Sequence, residues 1–290
     1  MKKFFKIVLW SVLSLLVLLV AAASLFIYKV KNGFPVSYET DKPTIDLPAD
    51  KPAILLFSKT TGFRHGESID ASRPVIKAMA ERNNWSVYET EEGGVFNADQ
   101  LKQFKVVVFN NCTGRLLDEQ QQQALANYVE GGGSLIGIHG AGDNSHHWPW
   151  YEANLLGAEF SHHPLSPQFQ KADVNVESTV DSTLTQKLPK SWNHEDEWYI
   201  FFGQPKGAKI VSYINGDKII PDGNILWTRD KNFGMGKYHP VAWYRSVGKG
   251  KTFYTSMGHA GAVWTDANFV QLVENAIFWT LDRSAEAAGR

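Results

Sequence analysis

The chain has 290 residues, with 29 lysines and arginines against 30 aspartates and glutamates, nine histidines and one cysteine. That balance excludes a nucleic-acid binder built on a basic face, and the single Cys112 excludes an intrachain disulfide framework. Beyond its N-terminal segment the length suits one large α/β domain with a substantial core, and ten Trp, ten Tyr and seventeen Phe supply both core and candidate stacking platforms for a ligand.

Residues 1–31 read as an N-terminal membrane anchor or uncleaved signal. "MKKFFK" is basic, and the run from Ile7 to Tyr28 carries no charge before "KVK" closes it. Such a run exceeds the ~7–15 residues of a signal-peptide core and matches the ~20 that cross a bilayer. The alternative is a signal cleaved near Ala21–Ala23, which would release a secreted domain. Lys2, Lys3 and Lys6 outweigh Lys29 and Lys31, which puts the N-terminus inside and the globular part in the periplasm or cell exterior. Residues 32–51, rich in Pro, Asp, Lys and Thr, read as a linker, 52–283 as the α/β domain, and 284–290 as a tail.

The domain opens on "AILLFS" (Ala53 to Ser58), an apolar run suited to a strand buried on both faces. A helix is expected from Ser68 to Asn83, then the strands "WSVYET" and "KVVVFNN". The next helix is capped by Asp118 and stopped by the glycines 131–133, and "SLIGIHG" is a fourth strand. This alternation predicts a doubly wound, mostly parallel sheet flanked by helices, preceded by one transmembrane helix. The second half, with "ADVNVE", "AKIVSYI", "ILWTRD", "PVAWYRSV" and "GKTFYTSM", reads as an antiparallel extension or continuation of that sheet, closed by a helix from Asn268 to Leu281.

Ligands of open parallel sheets bind beyond the strands' carboxyl ends, and the polar residues of interest fall there. "GFRHGE" places Arg64 and His65 after the first strand, where a helix start suits an anion or polarised oxygen, while Glu67 reads as part of the helix start. His139 occupies the strand-to-turn position that holds a nucleophile in many α/β enzymes. Asp143, His146 and His147 follow beside Trp148 and Trp150, which serve either as faces for a sugar ring or as anchors of the next helix. "SHHP" and "HEDEW" supply His162, His163, His194, Glu195, Asp196 and Glu197. Histidine beside carboxylate is general acid–base apparatus or a mixed N/O site for a divalent metal, although "HEDE" also fits a solvated turn. His259 follows one more strand. His163, His194 and His259 are the candidate ligands of such an ion, zinc or similar.

Together "GFRH", "GIHGAGD", "HHP", "DEWYIF", "PVAWYRSVGKGKTFYTSMGH" and "VWTDANFVQLVENAIFWTL" resemble the trehalose-utilisation (ThuA-like) family, over residues 52–281. The resemblance implies the class I glutamine amidotransferase-like, flavodoxin-like fold without the Cys nucleophile, since His139 stands at the elbow. Glutaminase activity is therefore not expected, because no thioester forms without a thiolate. By position, Arg64, His65, His139, His163, Asp196, Glu197 and His259 match the family pattern and would line one pocket. The family's association with disaccharides and their 3-keto derivatives implies a carbohydrate ligand. One reading is an enzyme in which His139 or Glu197 removes the proton beside a C3 carbonyl while Arg64, His65 or a metal stabilises the enolate, with elimination or hydrolysis of the glycoside. The other is a non-catalytic carbohydrate-binding or sensing domain. The sequence sets no oligomeric state.

Overall fold

The structure, a computed structural model, describes residues 1–34, 37–223 and 234–281. Its strands are β1 (Ala53–Phe57), β2 (Ser86–Thr90), β3 (Val106–Asn110), β4 (Ser134–Ile138), β5 (Phe160–His162), β6 (Gln170–Val176), β7 (Ser191–Asp196), β8 (Ile200–Phe201), β9 (Lys209–Ile214), β10 (His239–Val247) and β11 (Gly250–Thr255). All five residues of β1 are buried because the strand feeds two cores. Ile54 and Leu56 enter one core and Leu55 and Phe57 the other, as the two-residue period of a strand requires. The first core is covered by the helices Gly66–Arg82 and Ala267–Leu281, and the second by Glu119–Glu130 and the helical turns over 149–156. Helices on both faces make the sheet doubly wound. Asp118 caps its helix reciprocally with Gln121.

Among the described residues nine strands form one sheet in the order β2-β1-β3-β4-β11-β10-β9-β6-β7, and β5 pairs with β8 apart from it. The first five are parallel, in the flavodoxin-like order. The remainder are added antiparallel, so only β10 and β6 run against the common direction. The run "GKTFYTSM" thus supplies β11, the fifth parallel strand rather than part of the antiparallel extension. "ILWTRD" (225–230) and the tail lie outside the described residues.

The antiparallel half does not continue the plane of the parallel half. In a flat sheet β11 and β7 would stand about 19 Å apart, at ~4.8 Å per step. Instead both halves close on the helix Ala267–Leu281. Its Phe269, Leu272 and Ala276 share one core with Ile136 and Ile138 of β4 and with Val174 and Trp192 of β6 and β7. Trp279 Nε1 donates to Asp181, and Asn275 Nδ2 to the carbonyls of Leu184 and Gln186. The sheet curls over this helix and brings its far edge back towards its centre.

The helix Lys2–Asn32 buries none of its residues; it is long and apolar enough to cross a membrane. Within the segment expected as a linker, residues 39–47 form a strap against the domain. Glu39 pairs with Lys59 and accepts from the Gly93 amide, Gln121 Nε2 donates to the Glu39 carbonyl at 2.6 Å, and Ile45 and Leu47 pack on the second core.

Candidate functional site

Four strands of common direction, β1, β4, β7 and β11, end at the same edge of the sheet, and each delivers a residue to one cluster. His65 follows β1, His139 follows β4, Glu197 follows β7 and His259 follows β11. His139 has φ 44, in the left-handed region that a non-glycine residue occupies only when its surroundings force it. The sharp turn lifts its imidazole out of the strand line. Gly140 must be small: a Cβ there would come within 3.0 Å of the His65 ring and of Thr113.

Glu197 is the hub. Its Oε2 lies 2.9 Å from His259 Nδ1 and 3.5 Å from His139 Nε2, and its Oε1 lies 2.9 Å from His163 Nδ1 and accepts from Gln168 Nε2 at 2.6 Å. His139 Nε2 and His259 Nδ1 are 3.0 Å apart. His139 Nδ1 donates to the Ser256 carbonyl at 2.6 Å, and its Nε2 faces the cluster. His65, His139, Glu197 and His259 each offer a ligand atom, all within 4.8 Å of one another. These four are the residues that could hold a metal ion.

The electrostatics fit that use. Burial, with the neighbouring His139 and His259, pushes the His65 imidazole well below its ordinary pKa, so it is neutral, and its buried Nδ1 has no hydrogen-bond partner. Burial alone would raise Glu197, but hydrogen bonds from His139, His163 and His259 outweigh it and hold the carboxyl far below the usual range. His163 is opposed by burial but raised by Glu197, and its side chain is 31% exposed at the lip.

Asp196 faces the opposite way and organises the backbone. Its Oδ2 accepts from the Gly258 amide at 2.7 Å, and its Oδ1 from the amides of His259 (3.2 Å) and Glu197 (2.9 Å). His194 stands between Asp196 (3.3 Å) and Asp266 (2.6 Å). Burial disfavours its charge, but the two carboxylates raise it to about 9. Asp266 in turn accepts from the amides of Asn268 and Phe269 at the start of the last helix.

The other sequence candidates lie elsewhere. The Arg64 guanidinium is committed to Glu91, with bonds of 2.8 and 3.0 Å. Both ring nitrogens of His194 are taken by aspartates, so it stands outside the ligand group. His146 is buried with Nδ1 on the Gly114 carbonyl, and His147 is exposed. Trp148 is buried and stacked on Tyr151, while Trp150 donates to Glu130 at the far end of the neighbouring helix; both anchor the helical turn. Asp143 is tied to Ser145, and burial raises its pKa to about 7.

Tyr199 lies buried against His139, with ring centroids 4.2 Å apart, and two further rings at the site, phenylalanines that the sequence reading passed over, are exposed. Phe63 packs edge-on against His65 and Phe169 against His259, with centroids at 4.9 and 5.2 Å. They are 44% and 40% exposed. A cavity of about 570 Å³, lined by Phe169, Asn193, His194, Glu195, Ala260 and Asp266, shares Phe169 with this site. The available signal was position: Phe63 stands two residues before His65, in the first carboxyl-end loop.

Fold and site define a doubly wound α/β protein whose strand-to-turn elbow carries the imidazole of His139. Cys112 is buried with its thiol pKa pushed up by that burial. The family model of trehalose utilisation (ThuA) matches residues 53–280, and the chain belongs to that family. The fold is similar to that of a ThuA-like protein of Bacteroides uniformis, at 21% identity and TM-score 0.66, covering 87% of this chain and 96% of that one. A ThuA-like protein of Parabacteroides merdae is similar at 19% identity and TM-score 0.60, covering 80% and 90%. No functionally curated protein matches the sequence.

Proposed function

We propose that this is a membrane-tethered enzyme acting outside the cytoplasmic membrane on a keto-sugar glycoside, with a divalent metal, zinc or similar, held by His65, His139, His259 and Glu197. The observation carrying this reading is the triangle of His139 Nε2, His259 Nδ1 and Glu197 Oε2, whose edges are 3.0, 2.9 and 3.5 Å. A tetrahedral ion with bonds of ~2.1 Å spaces its ligands roughly 3.4 Å apart. Three imidazoles and a carboxylate are a borderline N/O donor set, and the bond from His139 Nδ1 to a backbone carbonyl is the outer contact that metal-bound histidines make.

A bound ion would supply Lewis-acid polarisation of a sugar oxygen. The chain's own groups do the rest. Glu197, held strongly acidic, is a poor base and belongs with the ligands. His163 at the lip takes the proton from the carbon beside the ketone. The C–H electron pair becomes the enolate and then the new double bond, and the glycosidic C–O bond breaks. The departing alkoxide takes a proton from water, the hydroxide so formed adds across the new double bond at the carbon that held the alkoxide, and the neighbouring carbon takes back the proton from His163, which completes net hydrolysis. Phe63 and Phe169 offer their faces to the sugar ring.

Elemental analysis of protein purified without chelator tests the metal, beside His139→Ala and Glu197→Ala. A stoichiometric divalent ion is expected in the parent and absent from both variants, together with their turnover of 3-keto-glycosides. No metal after reloading sinks the ligand assignment. Sugar binding without turnover of any keto-glycoside moves the reading to a binding domain.

A further inference from the structure

We propose that the mouth of this site stands against the membrane surface and takes its ligand from the headgroup layer, as the sugar part of a molecule anchored in the bilayer. The orientation rests on reading the N-terminal helix as a membrane span, and the chemistry of the ligand rests on the carbohydrate reading above.

The argument is one of reach. The helix is continuous to Asn32. Its uncharged run from Ile7 to Tyr28 is roughly 33 Å long at ~1.5 Å per residue, enough for a hydrocarbon core of ~30 Å. From Tyr28 to Gly33 leaves only about 7 Å of rise. Gly33 is buried at φ 69, and a Cβ on it would come within 3.1 Å of the Arg115 amide nitrogen and 3.2 Å of Gly114. The Phe34 amide donates to the Thr61 carbonyl at 3.4 Å, and a Cβ on Gly62 would lie 3.3 Å from the Val30 carbonyl oxygen. The helix therefore ends on the loops that follow β1 and β3. Those loops lie on the edge where His65 and His139 open, and Gly62 is three residues from His65. The strap from Glu39 to Leu47 holds the following chain onto the domain, so it adds no slack.

The rim has interfacial chemistry. Phe34 and Phe63 are 39% and 44% exposed, and Lys29, Lys31 and Arg115 are exposed beside them. Aromatic and basic side chains are those that settle at an anionic headgroup layer. The ring of Phe63 bridges that rim and His65. Lys249, in the turn between β10 and β11, is exposed at the opposite end of the sheet.

The native thiol is buried, so an introduced cysteine takes a label selectively. The full chain would carry an environment-sensitive fluorophore at Phe63→Cys or, separately, at Lys249→Cys. Both are reconstituted in vesicles of phosphatidylethanolamine and phosphatidylglycerol doped with a headgroup spin-labelled lipid. Strong quenching and a blue shift are expected at 63, with a solvent-like signal at 249. Arg115→Cys gives a second rim position should Phe63→Cys not fold. Solvent-like signals at 63, 115 and 249 alike overturn the orientation, as does a chain recovered soluble with its N-terminus cut after Ala23. For the ligand, a long-chain alkyl 3-keto-glucoside held in the vesicles should turn over about tenfold or more faster than its methyl counterpart at equal bulk concentration, because both reactants share one surface. Equal rates overturn that half. Turnover of neither sinks the carbohydrate reading while the fluorescence result stands.

Discussion

Glu197 and His259 meet at 2.9 Å although β7 and β11, the strands that lead to them, are separated by three others in the sheet. The contact exists because the sheet curls over the helix Ala267–Leu281 and because Asp196 accepts the amides of Gly258, His259 and Glu197, tying the two loops together. Curvature supplies proximity, and one buried carboxylate supplies register.

Asp196→Asn should therefore weaken the site without touching a ligand. The amide cannot accept at both ends, so one backbone N–H loses its partner and His194 loses a counter-charge, at a cost of about 2 kcal/mol. Denaturant melts should show that loss, and metal content should fall. Unchanged metal affinity would show that the turn at His259 holds its position by packing alone.

His65→Leu separates stability from function. In the metal-free protein it removes a buried nitrogen without a partner, so stability should hold or rise by up to about 1 kcal/mol. The rise in Tm that a divalent ion confers on the parent should disappear. A variant still stabilised by zinc to the same extent would remove His65 from the ligand set.

The pair of aspartates around His194 makes a pH signature. The folded pKa, about 9, lies above the unfolded value of ~6.5. Its contribution is thus complete below ~6.5 and is lost as pH rises through about 9, amounting to about 3 kcal/mol at most. Urea melts from pH 6 to 10 should show this fall in the parent and a flatter profile in His194→Gln. Parallel profiles would mean that His194 is neutral in the fold.

Trp148→Ala should cost about 3–5 kcal/mol as a buried aromatic deletion. Phe169→Ala should change stability by less than about 0.5 kcal/mol and raise KM for the sugar. Binding titrations beside melts distinguish the two, and a sugar affinity that follows Trp148 and ignores Phe169 would reverse these roles.

The sequence by itself determined the first four parallel strands, β1 to β4, and the helices between them. Continuous apolar runs such as Ala53–Phe57, capped helices such as Glu119–Glu130 and glycine stops are local signals, and local physics decides them. It also marked His139, because a strand followed by His-Gly-Ala-Gly prescribes a tight turn. Tertiary structure decided the rest. β7 was hard to read because its inward positions are Trp192, His194 and Asp196, two of them polar, so the two-residue alternation carried no hydrophobic signal. Arg64 and Trp150 have partners 27 and 20 residues away, Glu91 and Glu130, which no local pattern announces. The convergence of Glu197 with His65, His139 and His259 depends on the sheet's curl around the last helix, and that curl is set by the summed packing of residues from both ends of the domain.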